Sequence, residues 1–228
     1  MEAADLGTRL CLASARSVYP PYAVALIPVL ALAVASYQVA HWLPTIAIWV
    51  AKPWLDRTIL FALSRAAFGQ GTSPRDLWRA QRDVWWRQLV FTWTVRRLSP
   101  WRSLTQSVYQ LEGLPLSQAR ARARQIRRPI ASAALMVAGA FCMAETAIMF
   151  SLVSLVFWLA PRGTVPGALE LMSGDAGHLS EIMAAAYAVA VVFVEPFYVA
   201  AGFAMYLNRR TELEAWDIEQ EFRRAFAS

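Results

Sequence analysis

Lysine is almost absent from this chain: Lys52 is the only one, and every other basic side chain is arginine. Charge is scarce altogether. Charged residues make up 17% of the 228 positions and hydrophobic ones 57%, whereas a soluble domain carries about 25% charged residues. An ordinary water-soluble domain is thereby excluded. Cysteine is reduced to Cys11 and Cys142, with no CxxC pair and no Cys/His cluster, which excludes a disulfide framework and a zinc site. Histidine is reduced to His41 and His178, one near each of two expected outer turns. Two imidazoles make half a metal site, so no metal or other cofactor is expected. No GxSxG, HExxH, P-loop or GxGxxG occurs. No catalytic residue is assigned, and the chain is expected not to be an enzyme. A cleavable signal peptide also fits poorly, because the first 18 residues mix charges and their apolar run comes late.

What the chain has instead is long apolar runs. They lie at about 22–40, 42–63, 130–160 and 182–207. Crossing a hydrocarbon core of about 30 Å takes about 20 residues of helix. The fold class expected is all-α, a polytopic helical membrane protein forming a single membrane domain over 1–228. It would have about four transmembrane helices and in-plane amphipathic cytoplasmic helices. His41-Trp42-Leu43-Pro44 reads as a tight turn joining the first two runs into a hairpin. The competing reading is one span from Tyr22 to Val50 with the remainder on the surface.

The net charge of +6 is concentrated between the second and third runs. Residues 64–128 hold thirteen arginines against Asp76, Asp83 and Glu112. Arginine beside membrane spans marks the cytoplasmic side. The Gly/Pro-rich segment 161–180 then faces out, and both termini are cytoplasmic. The tail, 208–228, is a charged amphipathic helix with Leu213, Trp216, Ile218 and Phe222 as its apolar positions. No recognition motif for nucleic acid is present, and the bilayer is the partner that the arginines imply.

Within the polar middle, Ser73-Pro74 opens a helix, with Ser73 as cap and Asp76 at its positive end. Further along, Trp78, Trp85, Trp86 and Trp93 alternate with Arg79, Arg82 and Arg87. Tryptophan with arginine suits the headgroup layer. Packing of the same tryptophans on the protein's own spans stays open as the other reading. Glu112-Gly113 reads as a helix C-terminus with glycine as cap.

The charges inside the spans stand out. Lys52 and Asp56 interrupt the second run, Glu145 lies in the middle of the third, and Glu195 near the middle of the fourth. An ionised group at that depth costs about 2.5–3.5 kcal/mol on insertion scales, so such groups seek partners. Lys52 and Glu195 each precede a proline on spans running in the same direction, which predicts that they meet across the bundle. Glu145 is the competing partner for Lys52, and Asp56 a local one. The two hairpins share a layout, with Lys52-Pro53-Trp54 matching Glu195-Pro196-Phe197.

The segments KPWLDRTILFALSRAAFG, RRLSPWRSLTQSVYQLEGL and EPFYVAAGFAMYLNRRTELEAWDIEQEFRR resemble uncharacterised inner-membrane proteins of Gram-negative bacteria. The tail is more distantly similar to the membrane domain associated with glycerophosphodiester phosphodiesterases, although no phosphodiesterase domain is present. The first resemblance implies an inner-membrane accessory protein beside a membrane-anchored transglutaminase-like or AAA-ATPase-linked system. The function expected is a non-enzymatic inner-membrane component that scaffolds or positions a membrane or cytoplasmic protein partner. The alternative is a small transporter or permease-like subunit using the intramembrane charges, which would need to form a homo-oligomer to enclose a path.

Overall fold

The computed structural model describes residues 2–86, 99–159 and 176–226, and the side chains of its last helix over 179–215. Helix dominates these residues, and none of them forms a strand. Helix α1 spans Glu2–Ala13, with Glu2 and Asp5 in its first turn, where carboxylates complement the free N–H groups. The chain leaves helical geometry at Ser14 and resumes as α2, Ala15–Ser36. After a turn, Pro44 starts α3, Leu43–Ala66. Helices α2 and α3 pack on each other as a hairpin, so Tyr22–Val50 is not one continuous helix.

Helix α3 is buried on nearly every side from Ala51 to Leu63. It ends in a glycine stop. Gly69 has φ 71°, and Gly69 and Gln70 return N–H bonds of 2.9 and 3.0 Å to the carbonyls of Ala66 and Arg65, satisfying the end of the helix. Helix α4, Pro74–Arg79, begins with a capping box: Ser73 Oγ accepts from the Asp76 N–H, and the Asp76 carboxylate accepts from the Ser73 N–H. The helix that Ser73-Pro74 opens is short, and a π-helical turn follows it at Arg82–Trp86. The buried guanidinium of Arg57 reaches this turn and donates to the carbonyls of Val84 and Asp83.

Helix α5, Arg102–Leu111, ends at Gly113 with φ 64°. Helix α6, Leu116–Arg127, buries Ala119, Ala123 and Ile126 and turns its arginines outward. A 3-10 turn at Arg128–Ile130 leads directly into α7, Ala131–Leu159. Helix α8 runs unbroken from Ala176 to Phe226, about 75 Å at 1.5 Å per residue. No separate tail helix begins at Asn208. Instead Arg209–Glu212 and Arg210–Glu214 pairs, both 2.6 Å, continue the same helix beyond its apolar part.

The core is built around α8, which touches α1, α3, α5 and α7. By length and composition three segments can cross a membrane: Ala15–Ser36, Leu116–Leu159 and Leu179–Ala215. Helix α3 has the length but carries Lys52, Asp56 and Arg57 in its middle. Two glycines allow backbones to meet. A methyl on Gly7 would overlap the Ala200 carbonyl, and one on Gly202 would overlap Ser103.

Alanine favours a helix over glycine by about 1 kcal/mol, yet Gly7→Ala and Gly202→Ala should each destabilise the protein by about 1–3 kcal/mol through overpacking. Gly139 has open space around it, so Gly139→Ala should be neutral or stabilising. Thermal unfolding in detergent checks the opposite signs.

Candidate functional site

Five charged side chains from four helices converge in the core. Lys52 and Asp56 stand one turn apart on α3, Arg102 opens α5, Glu145 is in α7 and Glu195 in α8. Lys52 Nζ lies 2.7 Å from Glu195 Oε2 and 2.7 Å from Glu145 Oε2. Arg102 lies 2.9 Å from Glu195 Oε1 through Nη2 and 2.7 Å from Asp56 Oδ2 through Nε. Glu195 therefore bridges both cations. Side-chain exposure is 1% for Glu195 and 2% for Asp56, against 15% for Glu145, so the cluster has a dry inner part and a rim.

Local sequence explains the placement. An i, i+4 spacing puts Lys52 and Asp56 on one face of α3. Proline follows both Lys52 and Glu195, and a proline inside a helix deprives the carbonyl four residues earlier of its donor. Near the second of these, the Tyr22 hydroxyl donates to the Val191 carbonyl at 3.2 Å, tying α2 to α8. Arg102 occupies a helix N-terminus, where the macrodipole disfavours a cation; the attraction of Asp56 and Glu195 outweighs that penalty. Two rings complete the lining, with Lys52 5.9 Å from the centre of Tyr187 and Arg102 5.6 Å from that of Tyr198.

The structure thus brings together Lys52, Asp56, Glu145 and Glu195. Lys52 contacts both glutamates rather than one. Arg102 is the member that the sequence reading missed, having been grouped with the cytoplasmic arginines. A charge tally offered the signal: three acids in the spans faced two cations, Lys52 and Arg57, leaving one acid to find a base elsewhere.

The interfacial candidates divide. Trp78, Arg79, Arg82 and Trp86 are on the surface. Trp85 does not belong with them. It is buried, donates from Nε1 to Thr58 Oγ1 at 2.9 Å, and lies 5.0 Å from the Trp54 ring. Arg87 and Trp93 fall outside the described residues, as does the His178 side chain. His41 rests edge-on against Tyr37. At the start of α4, bonds from the Ser73 backbone and hydroxyl hold the Asp76 carboxyl below the usual carboxylate range.

A partly open cavity of about 490 Å³ reaches the cluster. Lys52, Arg102, Glu145 and Glu195 form its charged wall, and Trp49, Phe141, Cys142 and Met149 are among its other lining residues. Among the described residues no group of three His, Cys, Asp or Glu side chains is arranged to hold a metal. The geometry is that of a helical bundle with membrane-length apolar helices and an internally paired charge cluster beside a cavity. No family model, curated protein or solved structure matches the chain.

Removing one partner from a buried ion pair costs about 3–5 kcal/mol. Glu195→Leu, which takes one of two carboxylate partners from each of Lys52 and Arg102, should reach that range, whereas Glu145→Gln at the rim should cost less; denaturation of the detergent-solubilised variants ranks them. The two cysteines report on the cavity. Burial pushes the Cys11 thiol up to about 11, which near pH 8 leaves roughly 100-fold less thiolate than an ordinary thiol. Cys142, exposed on the cavity wall, should react with a water-soluble maleimide in the folded protein while Cys11 stays silent. Mass mapping of the labelled peptides reads the result.

Proposed function

We propose that this chain is a non-enzymatic component of a bacterial inner membrane that positions a partner protein. It has four spans, α2, α3, α7 and the apolar part of α8, with both termini in the cytoplasm. The arginines between α3 and α7 support this orientation through the positive-inside bias. The exposed Trp78 and Trp86, with Arg79 and Arg82 beside them, suit the headgroup layer on that side.

The observation that carries the partner reading is the condition of α7. This helix has 29 residues, yet only Ala134 and Val137 are buried. Met136, Met143, Phe150 and Leu155 are each half exposed or more. In a bilayer, helices associate through close packing and polar ties rather than through a hydrophobic drive, and α7 has an apolar flank still available for a neighbouring protein helix. Its one charged group, Glu145, is already committed to Lys52. The chemistry inside the bundle is turned inward, and what the molecule offers outward is surface.

The cavity at the cluster supports a second reading, a small transporter or permease-like subunit, because it brings Lys52, Arg102, Glu145 and Glu195 to a space a solute could enter. One experiment separates the two. Photo-crosslinking residues placed at Met136, Met143 and Phe150 should give discrete protein adducts in native membranes, with none from a control at Ala134. Lipid adducts alone at all three positions would remove the partner role of α7. Loss of adducts with Phe150 but not Met136 would place the partner at one end of the helix.

A further inference from the structure

At the inner end of α8 the basic side chains are answered by acids of the same helix, Arg209 by Glu212 and Arg210 by Glu214. Helix α6 differs. It carries Arg120, Arg122, Arg124 and Arg127 and no acid. Arg122 is met from outside the helix by Glu112 at 3.6 Å. Arg120, Arg124 and, in the turn that follows, Arg128 are exposed. Spaced by four, they form one stripe along the helix, opposite the buried Ala119, Ala123 and Ile126. Among the described residues neither Arg124 nor Arg128 is in an ion pair.

The stripe ends where an apolar helix begins. Helix α6 passes through the 3-10 turn Arg128–Ile130 directly into α7. Trp101 fixes the junction: its Nε1 donates to the Ala131 carbonyl at 2.9 Å, and the Arg127 guanidinium lies 4.3 Å from its ring centre. Tryptophan and arginine at the end of a span mark the level of the headgroups. Arg128 and Arg124 precede Ile130 in the chain by about 3 and 9 Å along a helix axis, which brackets a headgroup layer of about 5–8 Å on each side of the hydrocarbon. Helical side chains lean toward the N-terminus, here the cytoplasmic end, so Arg128 leans out of the hydrocarbon and into that layer.

We propose that Arg124 and Arg128, with Arg127 held on Trp101 beside them, bind the phosphate of an anionic phospholipid in the cytoplasmic leaflet. Guanidinium groups one turn apart present forked N–H donors that match phosphate oxygens. With no acid on the helix, a headgroup of net negative charge is favoured over a zwitterionic one, whose amine would meet three arginines. The assignment rests on α7 spanning the membrane, as proposed above, and not on its engaging a partner protein.

Thermal unfolding of the full chain in neutral detergent tests the site, with phosphatidylglycerol or phosphatidylcholine of the same acyl chains added. Phosphatidylglycerol should raise the wild-type midpoint and phosphatidylcholine should not. Arg124→Gln with Arg128→Gln should raise the phosphatidylglycerol concentration needed for half the effect about 25-fold, at about fivefold per arginine. Arg79→Gln with Arg82→Gln removes the same charge elsewhere on this side and should leave most of the effect. An equal loss there would mean attraction to net charge alone and overturns the proposal. So does stabilisation by phosphatidylcholine as strong as by phosphatidylglycerol, or an unchanged response after the Arg124 and Arg128 substitutions. Glycerol phosphate in excess should do nothing; a matching shift would make the stripe a site for free phosphate esters and overturn the lipid assignment. Alkaline extraction of native membranes tests the spanning reading separately. Release of the chain removes that reading and the proposal with it, whereas retention without any preference for phosphatidylglycerol overturns the proposal alone.

Discussion

Glu195 holding Lys52 on one oxygen and Arg102 on the other is the constraint around which the molecule is arranged. It sets α3 against α8 at one depth, because a lysine and a glutamate 2.7 Å apart cannot slide. The same contact draws the start of α5 inward from the arginine-rich segment, seating Ser103 where only a glycine, Gly202, leaves room. Through Lys52 it also holds α7 by Glu145, a helix with little other burial of its own. Arg57, one residue beyond Asp56, extends the influence of α3 to the π-helical turn and brings Trp85 down onto Thr58.

Apolar side chains of similar volume are often as stabilising as a buried ion cluster, or more so. A bundle surrounded by lipid is different in one respect: helices gain nothing from leaving an equally apolar solvent. Close backbone approach and polar ties are then what distinguish one packing from its neighbours. This structure uses both, in the glycine contacts of α1 and α5 with α8 and in the cluster itself. The Tyr206 hydroxyl donating to Glu112 at 3.0 Å adds a tie at the far end of α5.

Much of the architecture could be read from the residues. Long apolar runs become helices, Ser73 caps where a serine-proline pair predicts it, and Pro44 marks the return of the first hairpin. Charges at equal depth beside prolines pointed to the core cluster, since an isolated charge there is costly. What could not be read was set by distant partners. Arg102 looks like its twelve neighbours in the polar middle until α5 folds against α8. Trp85 differs from Trp86 only by the side of a turn, and Trp85 finds its partner in Thr58, 27 residues earlier. The Asn208-Arg209-Arg210 step reads as a stop because composition changes there, whereas i, i+3 and i, i+4 pairs with Glu212 and Glu214 carry the helix through it.

The order of synthesis gives the cluster a history. Lys52 emerges from the ribosome 93 residues before Glu145, and Glu195 follows later still. At 5–20 residues per second, the lysine exists for roughly 5 to 20 seconds before its first carboxylate partner from another helix has been made. Asp56, one turn away on the same helix, is the only acid of the cluster already present. Its position beside Lys52 gives the newborn α3 a companion charge during that interval, before Arg102 claims it in the finished bundle.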